Sequence, residues 1–278
     1  MTDPIDIELL AQHRPDRKSL LLMQHDNEWL AEISGEPQTT HLMPKHAEKF
    51  SSGIWGIMAV SSWVKQVIAQ RYGINCYLVP NGVDTKLFHP VRPIIDTPTP
   101  KILLMYAPQD WKGFPEAVSA ALEVSKTHGS VEIMIVGGML LSFPAADPAY
   151  QQFSFPVTVF NIPEQENLAS IYSAATVFVS TSWQEGFGMP GLEALACGVP
   201  LVTTDSGGVR DYAIPDKTAI VVPPRDVQAM ADGIRRVLDS RELRQRLSQE
   251  GLHESKKFTW DKTLDKLERV LKDGKLSL

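Results

Sequence analysis

The sequence predicts an α/β protein, with a complete Rossmann-like, doubly wound parallel sheet in its C-terminal part and an incomplete Rossmann-like half-domain before it. From about residue 100 onward, short β-branched runs alternate with helical patterns, as they do when helices cover both faces of a parallel sheet. The first ninety residues show only two or three strand-like runs, too few for a two-faced sheet of their own.

Taken in order, Ser19-Leu-Leu-Leu-Met23 reads as a strand after a polar start, and Ile54-Trp-Gly-Ile-Met-Ala-Val60 as a second that runs into an amphipathic helix over 63–72. Pro80-Asn-Gly-Val-Asp84 is a turn signal, and the proline-rich stretch 90–100 reads as a linker. Strands are expected at 101–106, 131–136, 157–160, 176–180, 200–204 and 219–222. Helices are expected near 114–127, 165–175, 190–197, 208–213 and 226–238. The last segment, 258–271, has apolar residues at 260, 264, 267, 270 and 271 and forms one amphipathic helix. The division that follows is 1–92 for the partial N-terminal domain and linker, 93–255 for the complete C-terminal domain, and 256–278 for the terminal helix.

Composition narrows the function. With 43% hydrophobic residues and no apolar run near 18 residues, the chain reads as an ordinary soluble protein with room for a sizeable core. A net charge of -6 without a long basic run argues against nucleic acid as a partner and leaves no polybasic membrane anchor. Cys76 and Cys197 lie in apolar segments outside any Cys-x-x-Cys or Cys/His cluster, so buried thiols in a reducing cytoplasm are expected, not a disulfide framework or a zinc site. The opening Met-Thr-Asp-Pro-Ile-Asp has neither the basic region nor the apolar core of a secretion signal.

The segment richest in chemistry is Glu185-Gly-Phe-Gly-Met-Pro-Gly-Leu-Glu193, a glycine-rich turn between a strand-like and a helix-like run. A turn that feeds a helix N-terminus offers backbone N–H groups and a positive dipole end to a phosphate. Carboxylates at contact distance would repel a diphosphate, so Glu185 and Glu193 are expected to accept hydrogen bonds from neutral hydroxyls beside it. A diphosphate flanked by polyols is a nucleotide sugar.

With the Glu185/Glu193 pair go the preceding strand, the Gly-Val-Pro-Leu-Val that follows, Ser206-Gly-Gly, Pro80-Asn-Gly-Val-Asp and the Phe-Thr-Trp start of the terminal helix. Together, over roughly residues 54 to 271, these resemble the GT-B retaining glycosyltransferases of family 4, with a shortened N-terminal domain. The resemblance implies two Rossmann-like domains, the C-terminal one holding a nucleotide-sugar donor and the N-terminal one the acceptor, with the terminal helix returning to the N-terminal domain. It implies that no metal or other cofactor is required.

Carried over residue by residue, the resemblance implies that Glu185 contacts donor-sugar hydroxyls and Glu193 holds the ribose diol, while the backbone of Gly186, Phe187, Gly188 and Met189 supports sugar and diphosphate. Lys112, in Ala107-Pro-Gln-Asp-Trp-Lys-Gly113, matches the lysine of the diphosphate clamp, but the arginine position five residues earlier is Ala107. Losing one charged hydrogen-bonding leg weakens such a clamp by roughly 1.5 to 3 kcal/mol unless another group substitutes. Ile162, in Asn161-Ile-Pro, falls where the family lodges the base through backbone groups. His25 matches a histidine that meets the donor sugar, although a Gln-Asp-x-Glu subgroup aligns equally well on Gln24 and Asp26.

Plainer readings stand beside these. Glu193 could be a glutamate on a first helical turn favoured by the dipole, Lys112 a solvated lysine, and His25 a strand-end histidine bonded to a carbonyl. Ser206-Gly-Gly could be a simple turn, Trp183 and Phe187 lids over a sheet edge, and the arginines at 235, 236, 241, 244 and 246 a solvated helical face. The expected activity is transfer of a hexose from a nucleotide-diphosphate sugar to a hydroxyl acceptor, glycan or lipid-linked, with retention. The alternative is a non-catalytic or donor-binding subunit that needs a partner chain or a second copy of itself. The expected location is the cytoplasm, with peripheral attachment at the inner face of the membrane left open by the lipid-linked acceptors of relatives.

Overall fold

The computed structural model of the protein describes residues 19–24, 55–137, 156–161 and 163–272. Two compact units are present: Met1–Gly82 with Glu185–Phe187 and Trp260–Leu278, and Val83–Gln184 with Gly188–Thr259.

In the first unit, β1 (Ser19–Met23), β2 (Trp55–Ala59) and β3 (Tyr77–Leu78) form a parallel sheet in that order. Helix α1 (Ser62–Tyr72) starts at Ser61, whose Oγ accepts from Val64 N at 3.1 Å, and stops at Gly73. Its Val64 and Ile68 are buried, as are Leu21 and Ile57 of the sheet.

The second unit runs β4 (Lys101–Met105), α2 (Phe114–Ser125), β5 (Glu132–Gly137), β6 (Val157–Asn161), α3 (Gln165–Ala174), β7 (Val177–Ser180), α4 (Met189–Ala196), β8 (Leu201–Thr204), β9 (Ala219–Val222), α5 (Val227–Asp239) and α6 (Arg241–Ser255). Its six strands are all parallel, in the order β6-β5-β4-β7-β8-β9. That is the doubly wound order, and the direction of winding reverses between β4 and β7. Successive strand residues point to opposite faces. Ile102, Leu104, Ile133, Ile135, Val177 and Val179 join α2 and α5 in one core. The intervening Leu103, Met134 and Phe178 are buried as well, so helices must cover both faces, as the β-branched alternation predicts.

Two local features depart from the sequence reading, and a third adds to it. The helix expected at 208–213 is a 3-10 turn, Gly208–Asp211, because Gly207 breaks the backbone at φ 90, ψ -91 and leaves too few residues for an α-helical nucleus. The helix from 227 ends at Ser240, which is extended and starts a second, unanticipated helix by accepting from Leu243 N at 3.1 Å. The stretch 90–100 lies along α3, with Val91 N donating to Ser173 Oγ at 3.2 Å and Ile94 N to the Ser170 carbonyl at 3.1 Å.

The arginine face is partly structural. Arg235 donates to Asp232 and to the Glu123 carbonyl, Arg236 to Asp216, and Arg244 to the Val237 and Leu238 carbonyls at the end of α5. The terminal helix α7 (Trp260–Lys272) belongs to the first unit, where Thr263 Oγ1 donates to the Pro80 carbonyl at 2.7 Å.

Candidate active site

The crevice outside the carboxyl ends of β4 and β7 is where a sheet of this winding binds ligands. Strand β4 leads into the 3-10 turn Asp110–Lys112, which ends at Gly113 with φ 67. A Cβ on Gly113 would lie 2.2 Å from the Thr181 carbonyl oxygen, so glycine is required by both backbone angle and space. Thr181 Oγ1 donates to the Gly113 carbonyl at 2.7 Å, and Trp183 N donates to the Trp111 carbonyl at 2.7 Å. These bonds fasten the loop that carries Lys112 to the loop leaving β7. Trp183 serves as a brace: its Nε1 donates to Glu116 at 3.0 Å, and the Arg225 guanidinium stacks on its ring at 3.7 Å.

Beyond Trp183, Glu185 is half-buried and Phe187 buried, and Glu185–Phe187 group with the first unit. Gly188, at φ 82 and ψ 57, caps α4, with Met189 at its first position and Pro190 at its second, where the missing N–H costs nothing. Tyr212 pins this turn by donating its hydroxyl to the Gly188 carbonyl. The amides that open α4 therefore have a fixed direction.

Glu193 lies in the second turn of α4, so the first-turn dipole does not account for it. Tyr172 of α3 donates its hydroxyl to Glu193 Oε2 at 2.9 Å. Desolvation holds the Glu193 carboxyl above its ordinary value of 4.5, and the bond from Tyr172 pulls it partly back. One turn on, burial pushes the Cys197 thiol up to about 12, helped by the nearby Glu193 charge. Both Cys76 and Cys197 are buried free thiols.

The second unit thus brings Lys112, Gly188, Met189 and Glu193 to the two loops and helix that leave β4 and β7. His25 and Ile162 fall outside the described residues. Ser206 Oγ is the buried side-chain polar atom without a hydrogen-bond partner among the described residues. Asp84, Glu164 and Glu166 line an open depression elsewhere in the unit, whose acidity makes it a poor seat for a diphosphate. Among the described residues, no group of three or more His, Cys, Asp and Glu could hold a metal ion, and no helix is long and apolar enough to cross a membrane. Sequence reasoning missed Tyr172. The signal was a hydroxyl on the buried side of α3, since a buried Tyr O–H needs an acceptor.

The fold is of the GT-B type. The chain belongs to the glycosyl transferases group 1 family, whose profile matches residues 88–254. It is 29% identical over 214 residues to the D-inositol 3-phosphate glycosyltransferase of Acidothermus cellulolyticus, a match covering 71% of this chain and 48% of that protein. It is 28% identical over 251 residues to the glycogen synthase of Mycobacterium tuberculosis, covering 81% of this chain and 60% of that one. The chain spans about half the length of the curated relatives it matches. Among solved structures, the sucrose-phosphate synthase of Thermosynechococcus elongatus matches with a TM-score of 0.81 at 22% identity, covering 97% of this chain and 71% of that one. Anabaena HepE, solved in complex with UDP and glucose, matches at 0.74 with 14% identity, covering 99% and 76%. At these identities the likeness to solved structures is one of fold.

Proposed function

We propose that the chain moves a hexose from a nucleotide-diphosphate sugar to a hydroxyl acceptor, a glycan or a lipid-linked sugar, with retention of configuration. The observation that most supports this reading is the fastening of the Lys112 loop to the exit of β7, at the reversal point of the sheet. Lys112 carries a compact point charge suited to phosphate, and the amides opening α4 are fixed dipoles. Acting together, they would stabilise the charge that develops on the departing diphosphate. On this account the leaving group is neutralised by protein groups, and the reaction needs no metal. Glu193 would accept from the ribose, Glu185 would orient the transferred sugar, Ile162 would lie against the base, and His25 would contact the sugar. The two buried free thiols support a cytoplasmic location.

Replacing Glu185 with Gln tests the sugar-orienting role. Consumption of the nucleotide sugar should fall at least about 100-fold, as misplacement of a reacting group does, while the melting temperature stays put. Wild-type turnover in that variant would contradict the assignment.

A second reading is a donor-binding subunit that needs a partner chain. Two observations favour it: Ala107 stands at the clamp arginine position, and Trp260, Leu264 and Leu271 of α7 are 47%, 53% and 59% exposed. A monomer by sedimentation that consumes nucleotide sugar unaided would rule this reading out.

A further inference from the structure

Glu193 is not held by α4 alone. Its Oε2 accepts from Tyr172, a residue on a different helix whose side chain is buried and whose ring is set edge-on between Phe88 and Phe178, at centroid distances of 6.1 and 5.5 Å. Two perpendicular aromatic contacts leave the phenol ring little freedom, so its hydroxyl points at one place. The direction of the bond is also settled. Burial and the Glu193 charge push Tyr172 well above its ordinary value of 10.0, so the phenol keeps its proton and donates, and the carboxylate must accept.

An ionised carboxylate can accept about four hydrogen bonds, and Tyr172 supplies one, to Oε2. Oε1 has no protein partner among the described residues, and it is not among the buried atoms lacking one, so it reaches solvent. The phenol therefore anchors one carboxylate oxygen and leaves the other with its acceptor capacity unused by the described residues. A carboxylate presented in this way suits a neutral vicinal diol, the chemistry of a ribose ring.

We propose that Tyr172 is a positioning residue for recognition of the ribose hydroxyls of a nucleoside diphosphate, acting through its hydrogen bond to Glu193. The proposal rests on the reading of Glu193 as the ribose contact. A free glutamate side chain samples several rotamers, and fixing one in advance removes an ordering cost from binding. The phenol adds no contact to the ligand. Its effect lies in the fraction of time that Glu193 spends correctly aimed.

The test titrates purified wild type, Tyr172→Phe and Glu193→Ala with UDP, GDP and ADP and with their 2′-deoxy counterparts. Tyr172→Phe keeps the ring and its two aromatic neighbours, and a thermal melt confirms that each variant is folded. Wild type should prefer the ribonucleotide over its 2′-deoxy form by about tenfold or more, as expected for a lost bond to a charged acceptor. Glu193→Ala should abolish that preference. Tyr172→Phe should weaken ribonucleotide binding and shrink the preference to within about threefold, leaving 2′-deoxy binding almost unchanged.

A purely structural role for Tyr172 would weaken both ligands equally and keep their ratio, which would overturn the proposal while the Glu193 reading stands. Wild-type affinity and ratio in Tyr172→Phe would do the same. If Glu193→Ala keeps the wild-type preference, the ribose reading itself fails, and the proposal with it. If Tyr172→Phe does not melt cooperatively, Phe88→Leu, which keeps the phenol and Glu193 but removes one of the two rings that hold Tyr172, takes its place. A smaller ribose preference with 2′-deoxy binding almost unchanged supports the positioning role, and a wild-type ratio there overturns it.

Discussion

On the proposed reading, Glu193 couples donor recognition to pH. Its carboxyl is held above 4.5 by desolvation, so on acidification it takes up a proton earlier than an exposed glutamate would. Binding that needs the ionised carboxylate should therefore weaken at a pH above 4.5, with the loss flattened in Glu193→Gln when the two proteins are titrated with the same nucleotide. The neighbours that face it, Tyr172 from α3 and Cys197 from its own helix, are both pushed upward and stay neutral through that window. For stability the sign is opposite to that of a salt-bridged acid. Between 4.5 and the raised value the folded state holds more protons than the unfolded one, so stability falls as pH rises through that interval. Gly113 is the other informative residue. Gly113→Ala places a Cβ 2.2 Å from the Thr181 carbonyl in a left-handed backbone. The conformation alone costs about 1 to 2 kcal/mol, so the variant should melt earlier and bind nucleoside diphosphate more weakly as the Lys112 loop detaches. The Lys-Gly pair was visible in the sequence as a phosphate motif. That the glycine is there for packing became visible only when Thr181, far along the chain, was brought against it.

At the scale of elements, the strands of the second unit were legible because buried parallel strands read as near-continuous apolar runs, as in Lys101-Ile-Leu-Leu-Met105 and Glu132-Ile-Met-Ile-Val-Gly137. Helix α2 was legible from the Gly-Phe-Pro start at Gly113. The break between α5 and α6 was not, because only Ser240, with its side chain turned onto Leu243 N, separates them. Ser240→Ala should cost about 0.5 to 2 kcal/mol, read as a fall in the denaturant midpoint. Helices α6 and α7 differ in what they bury. Leu247 of α6 is fully buried, so Leu247→Ala should cost about 2 to 5 kcal/mol. Leu264 of α7 is 53% exposed, and Leu264→Ser should change the stability of an isolated chain by less than about 0.5 kcal/mol. A larger loss for Leu264→Ser that grows with protein concentration would favour the reading in which a partner covers α7.

At the scale of the whole molecule, the chain combines a three-stranded parallel sheet with a complete six-stranded one, and the proposed donor site lies where the larger sheet reverses its winding. The parallel sheet was largely legible, and because doubly wound folds place ligands by topology, the residues that follow its strands are the natural site candidates. The bond on which the proposed ribose contact depends was hidden, since Tyr172 meets Glu193 from another helix across 21 residues of chain. The account stands on a donor site built from Lys112, the turn before α4 and Glu193. Its most direct test is calorimetric titration of the purified chain with UDP, GDP and ADP in the presence of a chelator, alongside Glu193→Ala. Saturable binding of one nucleotide without metal, lost in the variant, is the result predicted. Absence of binding to all three, or binding that Glu193→Ala leaves unchanged, would contradict the account.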